Sequence, residues 1–381
     1  GGGANNDWET ALNWSGDTVP TDTDDVVIDT AVFVELNGST TVNSIQLGSS
    51  TASVATQLSF TYNATTSDPL IIDDGDFIIH NGATLTHASG STATVLGAIN
   101  LDVQTGDLTI NSGGSIDVSE QGYLGGQAEG QNGSGPGGGA GITNDPGAGA
   151  AYGGDGGDSS QGNAGGTAYG STINPVQLGS GGGASDFNGI GGAGGGLALL
   201  TVTGTTTIDG SIISNGEIGA VVTNNGAGGG SGGGINLTTG GLEGTGSVTA
   251  NGGAGGDSNT DGGGGGGGRI AIVYDTGSTT NLTLQAYGTA SLGGVQAAES
   301  SAAGTVFTKA ASQTYGDVLV NNNGIESTDA STDLGGIGNL DTLTATGSAL
   351  AVASTSSSIT FTSIVGGGSG TLIAATGTTL S

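Results

Sequence analysis

The chain has 381 residues with 33 acidic side chains against one lysine and one arginine, a formal net charge of −31, and no cysteine. This charge repels phosphate backbones and anionic lipids, so nucleic acid and membrane surfaces are not expected as partners, and cations are the natural counterpart. The missing cysteines exclude a disulfide framework, and no apolar run approaches the length of a membrane span.

Only 9% of the residues are charged, so threonine, serine, asparagine and glycine supply most of the polar surface. That composition is typical of secreted surface proteins, and we expect an extracellular or cell-surface location. The opening "GGGANNDWET" lacks the basic and apolar regions of a secretory leader. We interpret residue 1 as a processed end or as a cut within a longer protein.

The first third of the chain consists of short alternating segments bounded by glycine, asparagine or aspartate. Examples are "DVVIDTAVFVEL", "LIIDDGDFIIHNGATLTHA" and "GAINLDVQTGDLTI". Because β-branched residues abound and helix formers are rare, this pattern predicts an all-β protein. Residues 1–121 are predicted to form N-terminal β-solenoid coils. Trp8 and Trp14 are expected to cover the apolar end of the first coil, with a sugar-stacking pair as the alternative.

Three segments align with one another: "GSIDVSEQG" (114–122), "GSIISNG" (210–216) and "GSVTANGG" (246–253). Each follows an alternating stretch and precedes a glycine-rich excursion, at 122–196, 216–234 and 252–268. This repeat predicts three stacked coils that release their excursions from one edge of a solenoid. Residues 122–268 are therefore interpreted as excursions interleaved with coils. Residues 269–381, beginning "GRIAIVYD", are predicted to resume as C-terminal solenoid coils.

Region 122–268 holds 56 of the 85 glycines. Such runs form either a flexible linker or a bundle of polyproline II helices, whose backbones approach closely and bond to each other. Seven larger residues punctuate the runs and favour the ordered bundle, laterally attached to the solenoid: Tyr123, Leu124, Tyr152, Tyr169, Leu178, Phe187 and Ile190. Arg269 follows the seven glycines 262–268. It is expected to donate to carbonyls or a carboxylate at that junction, with an ordinary surface ion pair as the alternative.

Two parts of the sequence look familiar. "NNDWETALNWSGDTVPTDTDDVVID" resembles the opening of many bacterial cell-surface β-helix proteins. The order of glycine motifs, from "GYLGG" through "GPGGGAG" and "GGAGGGLALLTVTG" to "GGGGGGGRIAIVY", resembles glycine-rich modules of large secreted adhesin-like proteins. The two similarities cover about residues 5–30 and 114–275. They imply a right-handed parallel β-helix with an adhesive or structural role. Those proteins usually carry more lysine and arginine than this chain does.

Acidic clusters on turns are the candidate metal sites, because carboxylates at short spacing suit Ca²⁺. The candidate ligands are Asp22, Asp24, Asp25, Asp73, Asp74, Asp76, Asp155, Asp158, Asp257 and Asp261. None of the clusters matches the EF-hand loop or the nonapeptide calcium repeat, and turn-forming aspartate on a solvated face is the alternative for each. His80 and His87 are expected to have structural roles.

No pattern in the sequence indicates catalytic residues, and we do not expect an enzyme. A solenoid end that lacks a polar cap, as in "GTLIAATGTTLS", is expected to stack on another copy or on further chain. The sequence thus predicts a subunit of an extracellular filament or fibre, assembled head to tail. Three alternatives stay open: an adhesin or stalk module of a larger surface protein, a glycan-active β-helix enzyme, and an ice-binding surface. Surface glycans are a candidate partner.

Overall fold

The computed structural model describes residues 5–61, 69–89, 97–186, 189–293, 299–327, 329–335, 337–353, 360–367 and 370–374. These ranges contain 24 strands, one short 3-10 helix (Ala11–Asn13) and no α-helix. The strands are β1 (Asp25–Ile28), β2 (Phe33–Leu36), β3 (Thr40–Val42), β4 (Ser44–Leu47), β5 (Thr56–Phe60), β6 (Leu70–Ile72), β7 (Phe77–Ile79), β8 (Ala83–His87), β9 (Ile99–Val103), β10 (Leu108–Ile110), β11 (Ser115–Asp117), β12 (Leu197–Ile208), β13 (Ser211–Ile213), β14 (Gly234–Glu243), β15 (Ser247–Thr249), β16 (Arg269–Gly277), β17 (Thr283–Gln285), β18 (Thr305–Ala310), β19 (Asp317–Asn321), β20 (Thr332–Asp333), β21 (Asn339–Thr346), β22 (Leu350–Ala353), β23 (Thr360–Gly367) and β24 (Thr371–Ala374).

The strands stack in parallel into long sheets. One sheet runs from β1 through β4, β7, β10, β12, β14 and β16 to β18, and the second runs from β2 through β5, β8, β11, β13 and β15 to β17. β3, β6 and β9 also belong to the first sheet, where they pair in the order β3, β6, β9 and β12. From β12 to β18 successive strands alternate between the two sheets, so each pass adds one layer. The all-β prediction is confirmed, and the parallel sheets are compatible with the predicted solenoid.

Apolar residues at alternate positions face inward and stack from layer to layer. Ile45 pairs with Phe77, and Phe77 pairs with Leu108, and all three side chains are fully buried. Burying a side chain of this size contributes about 1.5–3 kcal/mol, so repetition of the register stabilises the whole stack. A shift by one residue would turn each apolar column toward solvent, which fixes the register.

The aligned repeat of the sequence is confirmed by strand pairing. Ser115 pairs with Ser211, Ser211 with Ser247, and Ser247 with Thr283. Equivalent positions in the last layers are separated by 36 residues, as in the bonds from Asn251 to Asn215 and from Tyr287 to Asn251. The three excursions lie between β11 and β12, β13 and β14, and β15 and β16. They therefore leave the stack at one edge.

A fourth excursion, residues 286–304, lies between β17 and β18 at the same position in the layer. Its composition does not reveal it, because alanine outnumbers glycine in this segment. The coil spacing was the signal that would have revealed it. We call the four excursions (122–196, 216–234, 252–268 and 286–304) the glycine-rich block.

Among the strands that the structure describes, the direction reverses between β18 and β19. β18 and β19 pair antiparallel, with Phe307 opposite Val318. After this hairpin β19, β21 and β23 extend the large sheet in parallel, while β20, β22 and β24 form a third sheet. We call strands β19 to β24 the second stack. It has its own buried core around Phe307, Leu334 and Leu343. Residues 269–381, predicted as one run of coils, thus contain a reversal that the sequence did not indicate.

The first coil is covered as expected. Trp8 is 1% exposed and belongs to the main core, and Trp14 packs against that core. The two rings meet edge to face at 4.7 Å, and the Trp14 indole N–H donates to the Trp8 carbonyl at 2.7 Å. No helix in the part of the chain that the structure describes could cross a membrane.

Candidate functional site, a glycine-rich block and its arginine anchor

The glycine-rich block is held together by backbone hydrogen bonds between its runs. The run 262–268 shows the pattern most fully, because each of its seven N–H groups donates to a carbonyl of another run. The donor–acceptor pairs are Gly263–Gly147 and Gly266–Ala150, then Gly264–Glu299 and Gly267–Ala302, and finally Gly262–Gly256, Gly265–Gly253 and Gly268–Ala250. Every third N–H therefore donates to the same neighbouring run, and the seven N–H groups are divided among three such runs.

This arrangement explains the seven consecutive glycines. At every position from 262 to 268, an added Cβ would overlap a carbonyl oxygen of an adjacent run. No side chain is tolerated where a run is enclosed on all sides by other backbones. Alanine appears elsewhere in the block, for example at 148, 150 and 151, where the methyl group is buried without such an overlap.

The second excursion repeats the three-residue period. Gly228 and Ser231 donate to the run at 180–183, Gly229 and Gly232 to the run at 263–266, and Gly230 and Gly233 to the run at 214–217. The expectation of an ordered, mutually bonded block agrees with this network. Because the bonds run between backbones, a flexible linker does not describe these segments.

Larger side chains attach the block to the sheets. Leu178 is buried against Ala98 and Leu197, with Tyr123 packed beside them. Tyr152 is fully buried and its ring lies 4.8 Å from that of Tyr169. Two expected anchors differ: Ile190 is exposed, and Phe187 lies outside the described residues.

Arg269 is the first residue of β16 and is fully buried where the third excursion rejoins the sheet. Its Nε donates to the Tyr169 carbonyl at 2.9 Å, and Nη1 lies 3.0 Å from the Asp333 carbonyl. Nη1 also lies 2.7 Å from the Thr172 hydroxyl and 3.2 Å from that of Thr305. The expected donation to carbonyls at this junction is confirmed, and a surface ion pair is excluded by the burial.

The charge of this guanidinium is balanced within the junction. Nη2 lies 3.7 Å from the Asp333 carboxylate, and the Tyr152 ring centroid lies 5.8 Å from the guanidinium carbon. Burial lowers the pKa of Arg269 and raises that of Asp333, while their mutual attraction opposes both shifts. Burial also raises the pKa of Tyr152 to about 12, so this ring stays neutral. Arg269 thus joins the first excursion, β18 and the second stack at one point.

Asp155 supplies a second connection between the block and the second stack. Its carboxylate accepts from the Ala168 N–H at 2.7 Å and from the Ser331 N–H and hydroxyl at 3.0 and 2.9 Å. Asp155 was a candidate calcium ligand. In the structure its carboxylate accepts hydrogen bonds from two other segments of the chain.

Other candidate calcium ligands cap backbone or side-chain donors of the next layer. Asp25 accepts from Ser44 and Asn43, and these bonds lower its pKa. Asp76 accepts from the N–H of Asp107 at 2.9 Å. These carboxylates therefore satisfy donors at a corner of the stack, as turn-forming aspartates do.

The remaining candidates are spread along the chain. Asp24 caps Thr21, Asp74 faces the Thr105 hydroxyl at 3.3 Å, and Asp158 accepts from Gly165. Asp22, Asp73 and Asp257 are exposed. Among the residues that the structure describes, no group of three or more His, Asp or Glu side chains is arranged to hold a metal. The half-buried Asp261 lies close to the carboxyl of Glu299, which is buried.

His87 fixes the place where the first excursion rejoins the sheet. Its Nε2 accepts from the Leu197 N–H at 3.1 Å, and Nδ1 lies 2.9 Å from the Ala88 carbonyl oxygen. Burial lowers the pKa of His87 to about 4, so the ring is neutral at pH 7. Nδ1 then carries the proton and donates to Ala88, and the expected structural role of His87 agrees with this geometry. His80 lies at the corner after β7, where its Nδ1 is 3.1 Å from the Asn111 amide.

Comparison with known proteins finds no matching family model, no matching curated protein and no matching solved structure. The resemblance to cell-surface β-helix proteins therefore remains an expectation from the sequence.

Proposed function

We propose that this chain is a structural subunit of an extracellular filament or surface fibre, assembled by head-to-tail packing. The observation that carries the proposal is the geometry of the two ends of the stack. Within the described residues, β1 pairs only with β4 at one end, and β23 pairs only with β21 at the other. Parallel strands with unpaired outer edges offer a template on which another copy continues the same ladder.

The end at β1 also offers a recess with both polar and apolar lining. A cavity of about 480 Å³ lies beside β1 and β2 and is lined by residues that include Trp14 and Phe33. Val27 and Val32 line it too, and they are 53% and 41% exposed. The exposed valines offer an apolar contact to a neighbouring copy, and the polar lining, which includes Asp7 and Asn13, offers hydrogen-bond partners.

The glycine-rich block supports the same role. We infer that its runs adopt the polyproline II conformation, since their bonds repeat every three residues and polyproline II has three residues per turn. We also infer that the sheets wind as a right-handed β-helix. A block bonded to a sheet along its length resists bending, whereas the net charge of −31 keeps neighbouring fibres apart except at high salt.

A backbone substitution at the β1 edge tests the proposal. The carbonyls of Asp24 and Ile28 accept from Asn43 and Gly48 on the β4 side. The alternating residue Val27 therefore directs its N–H to the outer edge. Val27→Pro removes that donor without touching the β1–β4 ladder, while Val27→Ala keeps it.

We expect electron microscopy to show filaments of the wild type and of Val27→Ala, and shorter filaments or single particles of Val27→Pro. Discrete particles of the wild type at all concentrations would overturn the assembly and favour an adhesin or stalk module. If Val27→Pro forms filaments of unchanged length, the interface between copies does not lie at the β1 edge.

A further inference from the structure

The chain contains eight Asn-Gly dipeptides, and the structure holds the glycine N–H of these pairs in different ways. The glycine nitrogen can attack the side-chain amide carbon of the asparagine before it, because the two groups are adjacent and glycine has no Cβ to hinder the approach. An N–H that donates a hydrogen bond must first be released by local opening. The asparagines of the eight pairs are Asn37, Asn81, Asn132, Asn188, Asn215, Asn225, Asn251 and Asn323.

In seven of the eight pairs the glycine N–H donates to a backbone carbonyl at 2.8–2.9 Å. Gly216 donates to Asn251 and Gly252 donates to Tyr287, so these two bonds belong to the contacts between layers. The remaining donors of this set are Gly82, Gly133, Gly189, Gly226 and Gly324. The fold therefore protects these seven glycine nitrogens.

Gly38 differs from the other seven glycines. It lies in the turn between β2 and β3, and its N–H donates to no acceptor among the residues that the structure describes. A Cβ added at Gly38 would meet no atom within 4 Å, so the turn has room for its backbone to move. Asn37 is exposed, and water therefore reaches the pair.

The side-chain amide of Asn37 has partners that favour attack on its carbon. The Thr61 hydroxyl donates to Oδ1, where negative charge develops when a nitrogen adds to Cγ. Nδ2 donates to the Asp7 carboxylate at 3.0 Å. A carboxylate in that position stabilises the positive charge that Nδ2 gains when it takes up a proton and leaves.

We propose that Asn37 is the site of a spontaneous covalent modification, the conversion of its amide to a carboxylate through a cyclic succinimide. The nitrogen of Gly38 bonds to Cγ of Asn37, the Cγ–Nδ2 bond breaks, and the proton of the Gly38 N–H leaves with the ammonia. Water then opens the ring and leaves an aspartyl or isoaspartyl residue at position 37.

The product changes the contacts of the segment that covers the first coil. The new carboxylate lies beside that of Asp7, which also accepts from the Asn5 amide at 2.7 Å. The amide donor to Asp7 is lost and two like charges face each other, so the modification weakens the attachment of this segment.

Hydroxylamine cleaves a chain at a succinimide, and mass spectrometry of the fragments identifies the position. We expect dilute native protein to be cleaved between residues 37 and 38, giving fragments 1–37 and 38–381. This cleavage should be at least about fivefold faster than at any other Asn-Gly pair, the factor that corresponds to one backbone hydrogen bond of about 1 kcal/mol. In guanidinium chloride all eight pairs should be cleaved at comparable rates, because the protecting bonds are gone.

Two variants accompany the test. Asn37→Gln keeps the amide but requires a larger ring, and it should abolish native cleavage at position 37 while the denatured variant is still cleaved at the other seven pairs. Asn323→Gln is the matched control, since Asn323 is also exposed in a turn but Gly324 donates to Gly347 at 2.9 Å. It should leave native cleavage at position 37 unchanged.

Two results would overturn the proposal. One is native cleavage spread evenly over the eight pairs, which would mean that the glycine hydrogen bonds give no protection. The other is native cleavage after Asn37 that is as slow as cleavage after Asn323, which would mean that the turn at Gly38 is closed to attack.

Discussion

The substitution Gly228→Ala tests whether the glycine-rich block is as tightly packed as its bonds indicate. Gly228 donates to Gly183 and accepts from Gly192, both at 2.9 Å. An added Cβ would lie 1.8 Å from the carbonyl oxygen of Ala148, the same atom that accepts from Gly183. Since carbon and oxygen normally approach to about 3.3 Å, the two runs must separate by about 1.5 Å.

The cost follows from two contributions. Overpacking in a rigid interior costs about 1–3 kcal/mol, and each backbone hydrogen bond that is broken costs about 1 kcal/mol more. With two bonds of Gly228 affected, we expect a loss of about 3–5 kcal/mol in the free energy of unfolding. The loss should appear as faster amide exchange in the segments 140–150, 180–195 and 225–235, measured by mass spectrometry.

Gly38→Ala is the matched control, because a Cβ at Gly38 meets no atom within 4 Å. It should leave exchange in the block unchanged and stabilise the chain by at most about 1 kcal/mol, through the unfolded state. If the two variants exchange alike, the enclosed packing of the run at 228 is refuted, and with it the explanation of the glycine content.

Three further predictions concern the contacts that join the layers. His87 has a folded pKa of about 4 and an unfolded pKa of about 6.5, so the unfolded chain binds the proton first. Stability should therefore fall by about 3 kcal/mol as the pH drops from 6.5 to 4; an imidazole NMR titration of His87 with a midpoint near 6.5 would contradict this. Arg269→Lys cannot reproduce the forked donation and should cost about 3–5 kcal/mol by thermal unfolding, whereas Lys309→Arg should be neutral. Asp107→Asn weakens the acceptor of the Thr205 N–H, 2.7 Å away, and should cost about 1 kcal/mol. Equal melting temperatures of Asp107→Asn and the wild type would show that this corner contact is dispensable.

The sequence by itself determined the kind of fold and the places where the chain leaves it. Alternating segments rich in β-branched residues predict strands, because every second side chain of a strand must be apolar to stack in a buried column. The aligned segments at 114, 210 and 246 became paired strands in register, since equal spacing returns each copy to the same position in its layer. The donation of Arg269 to carbonyls could also be predicted from the sequence, because a single arginine after seven glycines lies next to exposed backbone carbonyls.

The tertiary structure alone decided which residues meet across layers. Glu299 and Asp261 are separated by 38 positions, and Arg269 and Asp333 by 64, so no local pattern relates either pair. The antiparallel strands β18 and β19 have the same alternating sequence pattern as the parallel strands beside them, because this pattern does not depend on strand direction. The fourth excursion also could not be recognised from its composition. A high glycine content identifies only runs that other backbones enclose on every side, whereas the position of this excursion follows from the coil spacing of the preceding layers.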